Sequence, residues 1–159
     1  MFLHGATLND VPQMHRIQQE CYPPNLIEST TTFKNIVKCN MSYVVGAMDT
    51  NCILGYALVH YIKENEPPSI NSFCCPDGPD GPEGPHVFIH DIAVRSDARK
   101  KGIASQMVNE ILGRFQKAKS ISLISLHDAI PFWKKHGFNE YEKISIVETY
   151  GYGAIHMKK

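Results

Sequence analysis

Apolar residues return every three or four positions in several parts of the chain, which is the spacing of a buried helix face. After residue 10, Val11, Met14 and Ile17 share one such face. The same spacing predicts helices over 32–37, 102–117 and 128–136. In the last of these, Asp128 is placed to cap the first turn and Gly137 to end the helix.

Other stretches are short and rich in β-branched and aromatic residues, which is typical of strands. They lie at the start of the chain and at 42–48, 52–62, 86–94, 121–126, 143–150 and 154–158. We expect the last two to form a closing pair of strands. Because helices are interleaved among the strands, this order predicts a mixed α/β fold.

Residues 66–85 break this pattern with six prolines and three glycines. Proline lacks a backbone donor and glycine lacks a conformational bias, so neither a helix nor a ladder strand is expected. We expect a long surface loop, which in a compact domain is usually a functional lid or a disordered insertion. The 159 residues (1–159) then form a single domain that contains this loop.

Sixteen Lys and Arg balance sixteen Asp and Glu, so the formal net charge is zero. A neutral balance argues against broad nucleic-acid or membrane-surface binding, and no apolar run approaches the ~20 residues of a membrane span. The five cysteines are odd in number and irregularly spaced, which favours reduced thiols and a cytoplasmic location over a disulfide framework or a zinc site. We therefore expect no nucleic-acid, membrane or metal partner.

The most informative stretch is a predicted strand that runs into a basic turn and then a helix. The turn reads Arg99-Lys100-Lys101-Gly102-Ile103-Ala104-Ser105. The first N–H groups of a helix have no internal partner and carry the positive end of its dipole, so they can bind phosphate. The alternative is an ordinary solvated turn. Neither the P-loop spacing nor the Gly-x-Gly-x-x-Gly spacing occurs here.

Two motifs in this order resemble the GNAT superfamily of N-acetyltransferases. Arg99-x-x-Gly102-x-Ala104 after a strand is similar to its acetyl-CoA signature, and 129–138, an aromatic helix ending in Gly-Phe, is similar to its second motif. The resemblance covers essentially the whole chain. It implies an α/β fold of the GNAT (acyl-CoA N-acyltransferase) type, with a mixed, mostly antiparallel central sheet flanked by helices. The closer likeness, to the arylalkylamine and polyamine acetyltransferase-like branch, is carried by 21–23, 28–29, 89–94, 132–133 and 150–157.

The resemblance implies transfer of acetyl from acetyl-CoA to a primary amine, which we expect to be a small arylalkylamine or polyamine. The alternatives are a protein lysine or N-terminal amine as acceptor, and a non-catalytic acyl-CoA-binding module. The acidic loop residues Asp77, Asp80 and Glu83 could attract a cation of either kind. A monomer and a homodimer are both compatible with the sequence.

By the family pattern, main-chain groups of the predicted strand 86–94 hold the pantetheine arm of the cofactor as an added strand. Main-chain groups of the basic turn hold the pyrophosphate, and the second-motif helix flanks the far side of the cofactor. The implied cofactor-binding residues are Ile92, Ala93, Val94, Arg99, Lys100, Lys101, Gly102, Ile103, Ala104, Ser105 and Trp133.

His90 is the first candidate for the general base that removes the proton of the amine, directly or through water, since an unperturbed histidine titrates near neutral pH. It matches a strand histidine of the arylalkylamine enzymes, whose companion two positions earlier is Phe88 here. The alternative is a hydrogen-bonded core histidine. Asp91 and Glu28 are candidates to recognise the substrate cation, although a regular strand turns Asp91 away from the face of His90.

The usual general acid of the family is a tyrosine in the second motif, and this chain has Trp133 there. An indole N–H donates hydrogen bonds but cannot reprotonate a thiolate. A thiol pKa near ~8.5 makes unassisted departure of the thiolate feasible. Tyr150 and Tyr152 are candidates for the acid by position alone. The alternative for each of these aromatic residues is ordinary packing.

Overall fold

The computed structural model describes residues 1–39, 42–50, 52–73, 85–141, 147–151 and 153–159. Its strands are β1 (Phe2–Gly5), β2 (Ser42–Asp49), β3 (Cys52–Ile62), β4 (His86–Val94), β5 (Ser120–Ser125), β6 (Asn139–Glu140) and β7 (Ile155–Lys158). Its helices are α1 (Val11–Cys21), α2 (Thr30–Lys38), α3 (Ile103–Arg114), α4 (Ile130–Lys135) and α5 (Val147–Tyr150), with 3-10 turns at Pro24–Leu26, Ser96–Ala98 and His127–Ala129.

Within these ranges the strands form one seven-stranded sheet in the order β1-β2-β3-β4-β5-β7-β6. Neighbouring strands pair antiparallel, except that β4 and β5 pair parallel. A parallel pair needs a crossover connection, which α3 supplies here. The predicted α/β class and the mixed, mostly antiparallel sheet are confirmed.

Helices cover both faces of the sheet. Because successive side chains of a strand point to opposite faces, alternate residues of β3 pack against different helices. On β3, Tyr56 and Leu58 belong to the apolar core that includes α1 and α2. The alternate residues Ala57 and Val59 belong to the core that includes α3 and α4. The predicted apolar face of α1 is buried in the first of these cores.

The ends of the two helices that follow β4 differ in part from the prediction. Helix α3 starts after Gly102, whose φ of 76° lies in the left-handed region that favours glycine, and it ends before 117 because Phe115 leaves helical geometry. Asp128 does not cap α4, since it lies within a 3-10 turn and Ala129 occupies the N-cap without a side-chain bond. Gly137 follows α4 with a φ of 86°, as a helix-ending glycine does.

The predicted closing pair of strands is wrong in its first member. Residues 147–150 form helix α5, while 142–146 lie outside the described residues. Strand β7 pairs instead with β5 and with the two-residue strand β6. A strand of two residues carries no periodic pattern, and tertiary contacts override the strand preference of a short β-branched segment.

The Pro/Gly loop is described only at its two ends. Residues 66–73 form no helix or strand, and Phe73 lies against the ring of His60, with centroids 5.1 Å apart. Residues 74–84, with Asp77, Asp80 and Glu83, lie outside the described residues. The lid and the single-domain organisation therefore stay predictions.

The cysteines depart from the expectation of reduced thiols. Cys21 and Cys52 are free, whereas Cys39 is disulfide-bonded, so that expectation is wrong at this position. In the described part of the chain, no helix has the length and apolar character needed to cross a membrane. The cytoplasmic location stays a prediction.

Candidate active site

Strands β4 and β5 separate near the centre of the sheet, and a cavity lies in the gap. The two strands pair only over 86–89 of β4. Beyond Ile89, β4 continues to Val94 with β3 on one side and no described strand on the other. The cavity has a volume of about 510 Å³, and its walls include β4, β5, the start of α3, α4 and the segment 21–28. An extended ligand can therefore add to the open side of β4.

The open side of β4 meets the basic turn. The carbonyl oxygen of Val94 accepts hydrogen bonds from Arg99 Nε at 3.2 Å and from Cys21 Sγ at 3.4 Å. Lys100 and Gly102 have φ values of 62° and 76°. Left-handed residues in such a turn create the concave arrangement of N–H groups that binds anions. The turn and the β4 edge are thus both arranged to hold an anionic, extended molecule.

Most of the residues expected to bind a cofactor meet at this gap. The cavity walls contain Ile92, Ala93, Val94, Arg99, Ala104 and Trp133. The turn and helix start next to these walls contain Lys100, Lys101, Gly102, Ile103 and Ser105. Among the described residues, no three His, Cys, Asp or Glu side chains are grouped so as to hold a metal ion.

A β-bulge places His90 and Asp91 on the same side of β4. In the β3–β4 register, Leu58 lies opposite Asp91 and Val59 lies opposite Ile89, so His90 has no cross-strand partner. A bulge re-aims the side chains beside it. Both His90 and Asp91 line the cavity, contrary to the expectation that a regular strand separates them.

A buried chain of hydrogen bonds runs through His90. Its Nε2 lies 2.7 Å from Glu28 Oε2, and the two side chains are only 2% and 3% exposed. Its Nδ1 lies 3.1 Å from His60 Nε2, and His60 Nδ1 lies 3.0 Å from the carbonyl oxygen of Tyr61. Burial, with a smaller contribution from the charge of His90, lowers the pKa of His60 from 6.5 to about 3. His60 is therefore neutral at pH 7, and both ring nitrogens of His90 have partners.

Glu28 is held in the cavity wall by three further contacts. Its Oε1 accepts a hydrogen bond from the N–H of Asn71 at 2.8 Å. Its own N–H donates to Gln18 Oε1, and its carbonyl oxygen lies 2.9 Å from His15 Nε2. The main chain of Glu28 is thus held by Gln18 and His15, and its two carboxylate oxygens by Asn71 and His90, so the carboxylate needs little reorganisation to act.

The carboxylate of Asp91 accepts three hydrogen bonds from neighbouring side chains. Tyr22 donates to Oδ1 at 2.7 Å, while Tyr56 at 2.5 Å and Gln18 at 2.9 Å donate to Oδ2. Burial raises the pKa of Asp91, and the bonds from the two tyrosines oppose that rise. Asp91 therefore fastens α1 to β3 and β4. This arrangement does not support the expected role of Asp91 in recognising a substrate cation.

Tyr150 lines the cavity, but its hydroxyl donates to the carbonyl oxygen of Pro68 at 2.7 Å. Burial raises the pKa of Tyr150, and the nearby carboxylates of Glu28 and Asp91 raise it further. To act as a general acid, the hydroxyl of Tyr150 must first break its hydrogen bond to the carbonyl oxygen of Pro68. Its acid role stays a prediction.

Trp133 was expected either to bind the cofactor or to pack in the core, and its position is compatible with both. It is 4% exposed, and its ring packs against Phe132 and Phe138 with centroids 5.1 and 5.4 Å apart. Part of it also lines the cavity. Trp133 is thus a core residue that forms part of the cavity wall. The other tyrosine candidate, Tyr152, lies outside the described residues.

Sequence reasoning missed the residues that hold Glu28, His90 and Asp91 in place. Two of them are polar side chains on otherwise apolar faces, Gln18 on α1 and His60 on β3, and both are buried. A polar residue at such a position signals a buried hydrogen-bond partner. That signal identifies the residue but not its partner, which depends on register.

Comparison with known proteins identifies this architecture. The model of the family described as "Acetyltransferase (GNAT) family" matches residues 11–138. No curated protein matches the chain in sequence. The structure of Naa50 from Arabidopsis thaliana, in complex with the bisubstrate analogue CoA-Ac-MVNAL, is similar at a TM-score of 0.70 and 17% identity, covering 99% of this chain and 97% of that chain.

Two further solved structures have the same fold. The ribosomal-protein-S18-alanine N-acetyltransferase from Escherichia coli has a TM-score of 0.69 at 16% identity, covering 99% of this chain and 91% of that one. PaiA N-acetyltransferase from Thermoplasma acidophilum, in complex with coenzyme A, has a TM-score of 0.68 at 11% identity, covering 99% and 97%. The family model spans β4, the basic turn, α3 and α4. The chain therefore belongs to the GNAT family of acetyl-CoA-dependent N-acetyltransferases.

Proposed function

We propose that this chain acetylates a small primary amine that carries one positive charge on an apolar body, as an arylalkylamine does. The observation that supports this most is the buried Glu28–His90 pair in the cavity wall. A primary amine, with a pKa of about 10, is protonated at neutral pH and cannot attack until it loses that proton. The pair supplies a base where the acceptor would bind.

Acetyl-CoA fits the gap between β4 and β5. Beyond Ile89 the side of β4 that faces β5 has no described partner strand, so the pantetheine arm can pair there as an added strand. The N–H groups around Gly102 can hold the pyrophosphate, with Lys100 and Lys101 adding positive charge. Trp133 of α4 forms part of the wall of the same cavity.

Glu28, rather than His90, is the group that meets the amine. Both ring nitrogens of His90 are engaged, with Glu28 and with His60. The carboxylate of Glu28 attracts the ammonium group and accepts its proton, directly or through one water. Glu28 therefore both attracts the substrate cation and receives its proton, whereas the sequence assigned the second of these roles to His90.

The transfer forms one bond and breaks one. The ammonium group releases one proton to the Glu28–His90 pair, and the lone pair of the free amine attacks the thioester carbon. The C–S bond breaks as the amide forms, and the second proton of the nitrogen passes to water. The thiolate of coenzyme A leaves, and with a thiol pKa near ~8.5 it needs no direct protonation at neutral pH. Trp133 cannot provide such a proton, because an indole N–H is only a hydrogen-bond donor.

The walls around Glu28 favour an apolar amine over a polyamine. Leu26, Ile70 and Tyr150 line the cavity together with Glu28. Of the other carboxylates there, Asp91 is bound by three donors, and Asp128 lies at the start of α4 beside the proposed cofactor site. A polyamine carries further positive charges, each of which gains from its own carboxylate partner.

A peptide N-terminus is the second candidate acceptor. Of the similar structures, Naa50 holds the bisubstrate analogue CoA-Ac-MVNAL, and another is a ribosomal-protein-S18-alanine N-acetyltransferase. At 16–17% identity these likenesses show the fold alone. The bond from Tyr150 to Pro68 joins α5 to the segment 66–73 next to Glu28, and we expect it to obstruct a peptide more than a small amine.

A panel of amines tests this proposal. The purified chain is mixed with acetyl-CoA and phenethylamine, tryptamine, spermidine, an N-terminal peptide or a lysine peptide, while free thiol and acetylated product are followed. We expect kcat/KM for the arylalkylamines to exceed that for the other acceptors at least about tenfold, as one well-placed apolar contact gives. A higher kcat/KM for a peptide, or product with none of the small amines, would contradict the proposal.

A further inference from the structure

We infer that His60 is a positioning residue for the base, because it fixes the proton of His90 so that a single proton is shared between His90 and Glu28. This inference rests on the proposed function and deepens it. His60 is 2% exposed and lies on β3. It is not among the described residues that line the cavity, but it is hydrogen-bonded to His90, which is. Nothing in the acetyl transfer itself requires it.

The direction of the chain of hydrogen bonds is set at its inner end. His60 Nδ1 faces the carbonyl oxygen of Tyr61 at 3.0 Å. A carbonyl oxygen can only accept a hydrogen bond, so the ring proton of His60 lies on Nδ1. Because a neutral imidazole carries one proton, Nε2 of His60 has only a lone pair to offer.

His90 must therefore donate to His60. The two nitrogens, Nδ1 of His90 and Nε2 of His60, lie 3.1 Å apart, and His60 has no proton there. The proton of this bond belongs to His90 Nδ1. At the other nitrogen, Nε2 faces Glu28 Oε2 at 2.7 Å, a distance that requires one proton between them.

The form of the pair that accepts a proton from the amine is the one that has lost the shared proton. When the shared proton is absent, the lone pair of His90 Nε2 faces the negatively charged oxygen of Glu28, which is unfavourable in a buried site. Taking up a proton removes this repulsion and forms a short, charge-assisted hydrogen bond. The proton of the amine thus ends between Oε2 and Nε2, and solvent removes it after product release.

The opposite direction of hydrogen bonding, in which His60 donates to His90, is blocked. If His90 Nδ1 lost its proton, His60 would have to donate from Nε2 and present a lone pair to the Tyr61 carbonyl. A turn of the His60 ring is opposed by its packing against Phe73 and Phe88, with centroids 5.1 and 5.7 Å away. His60 thus holds His90 in one tautomer, because the hydrogen bond at one ring nitrogen of a histidine decides which nitrogen carries the proton.

Other titratable groups also face the pair from the elements around it. Asp91 neighbours His90 on β4, Tyr22 approaches from the end of α1 and Tyr150 from α5, and each of these has charge interactions with Glu28 or His90. His15 contacts the main chain of Glu28. The tyrosines have pKa values raised above 10 and stay neutral in the range where the amine loses its proton. Burial raises the pKa of Asp91, and its carboxyl group is held by Tyr22, Tyr56 and Gln18.

Two variants of His60 test the inference. Glutamine can place its carbonyl oxygen near the position of Nε2 and still accept from His90, whereas leucine cannot. We expect His60→Leu to lower kcat about tenfold and to move the acid limb of the pH–kcat profile to lower pH, because the pair then holds its proton less strongly. We expect His60→Gln to keep the limb in place and to retain most of kcat. KM for acetyl-CoA should change in neither variant.

The acceptor in this test is whichever amine the panel shows to react best, so the inference is tested even if the substrate class proves different. Circular dichroism confirms folding of each variant. Equal loss of kcat in both folded variants without a shift of the limb would assign His60 to packing and overturn the inference. An unchanged profile in His60→Leu would overturn it as well.

A spectroscopic measurement tests the polarity without any turnover. In the ¹⁵N-histidine NMR spectrum, with His60→Gln used to assign the signals, we expect the proton of His60 on Nδ1 and a proton on Nδ1 of His90. A proton on Nε2 of His60 would overturn the inference, whatever the acceptor.

Discussion

We expect Glu28→Gln to lower kcat about 100- to 1,000-fold, which is within the range that a positioned general base usually contributes. The amide keeps the size of the side chain and can still accept the hydrogen bond from Asn71. It has no negative charge, so it neither attracts the ammonium group nor takes its proton. Because the proposed cofactor contacts lie on β4 and the basic turn, KM for acetyl-CoA should remain within about twofold. Thiol-release kinetics measure both constants.

Glu20→Gln is the matched control. Glu20 lies on the exposed side of α1, eight positions before Glu28, and undergoes the same chemical change. We expect it to leave kcat and KM unchanged. Full activity of folded Glu28→Gln would exclude the carboxylate as the base and return the role to another group in the cavity.

We expect Trp133→Ala to lower the free energy of unfolding by about 3–5 kcal/mol, the usual cost of removing a large buried aromatic residue. Its ring lies in the core between the sheet and the helices α3 and α4, against Phe138, which is fully buried. The structure collapses only partly around the space that is left, so a cavity remains. Urea denaturation followed by circular dichroism measures the loss.

Phe132→Ala provides the comparison for Trp133. Phe132 is the neighbouring aromatic residue on α4, lines the same cavity and is only partly buried. We expect its removal to cost less than half as much stability as the removal of Trp133, because less apolar area returns to water. Equal costs for the two variants would show that Trp133 acts mainly as a wall of the cavity rather than as a core residue.

The long amphipathic elements were predictable because their pattern repeats several times. Val11, Met14 and Ile17 mark the buried face of α1, and β3 and β4 have the bounds that their apolar runs indicate. The closing segment was not predictable from its β-branched residues. Its helix α5 has four residues, fewer than a propensity pattern needs to be recognised.

The site was predictable in its members more than in its geometry. His90 and Glu28 stood out by chemical type and by likeness to a family, but their contact joins positions 62 residues apart. The bulge at His90 depends on the register between β3 and β4, which no local pattern encodes. His60 was missed for the same reason, since its partner is decided by that register rather than by its neighbours in the chain.

A crystal structure with a bisubstrate analogue tests most directly where the acceptor nitrogen binds. In this analogue, phenethylamine is linked through its nitrogen and an acetyl unit to the sulfur of coenzyme A. We expect the pantetheine arm to lie along the open side of β4. We also expect the amine nitrogen to lie about 2.6–3.2 Å from an oxygen of Glu28, or to be joined to it by one water. A nitrogen placed beyond that reach, with Glu28 still bound only to His90 and Asn71, would contradict the role of Glu28 as the group that receives the proton.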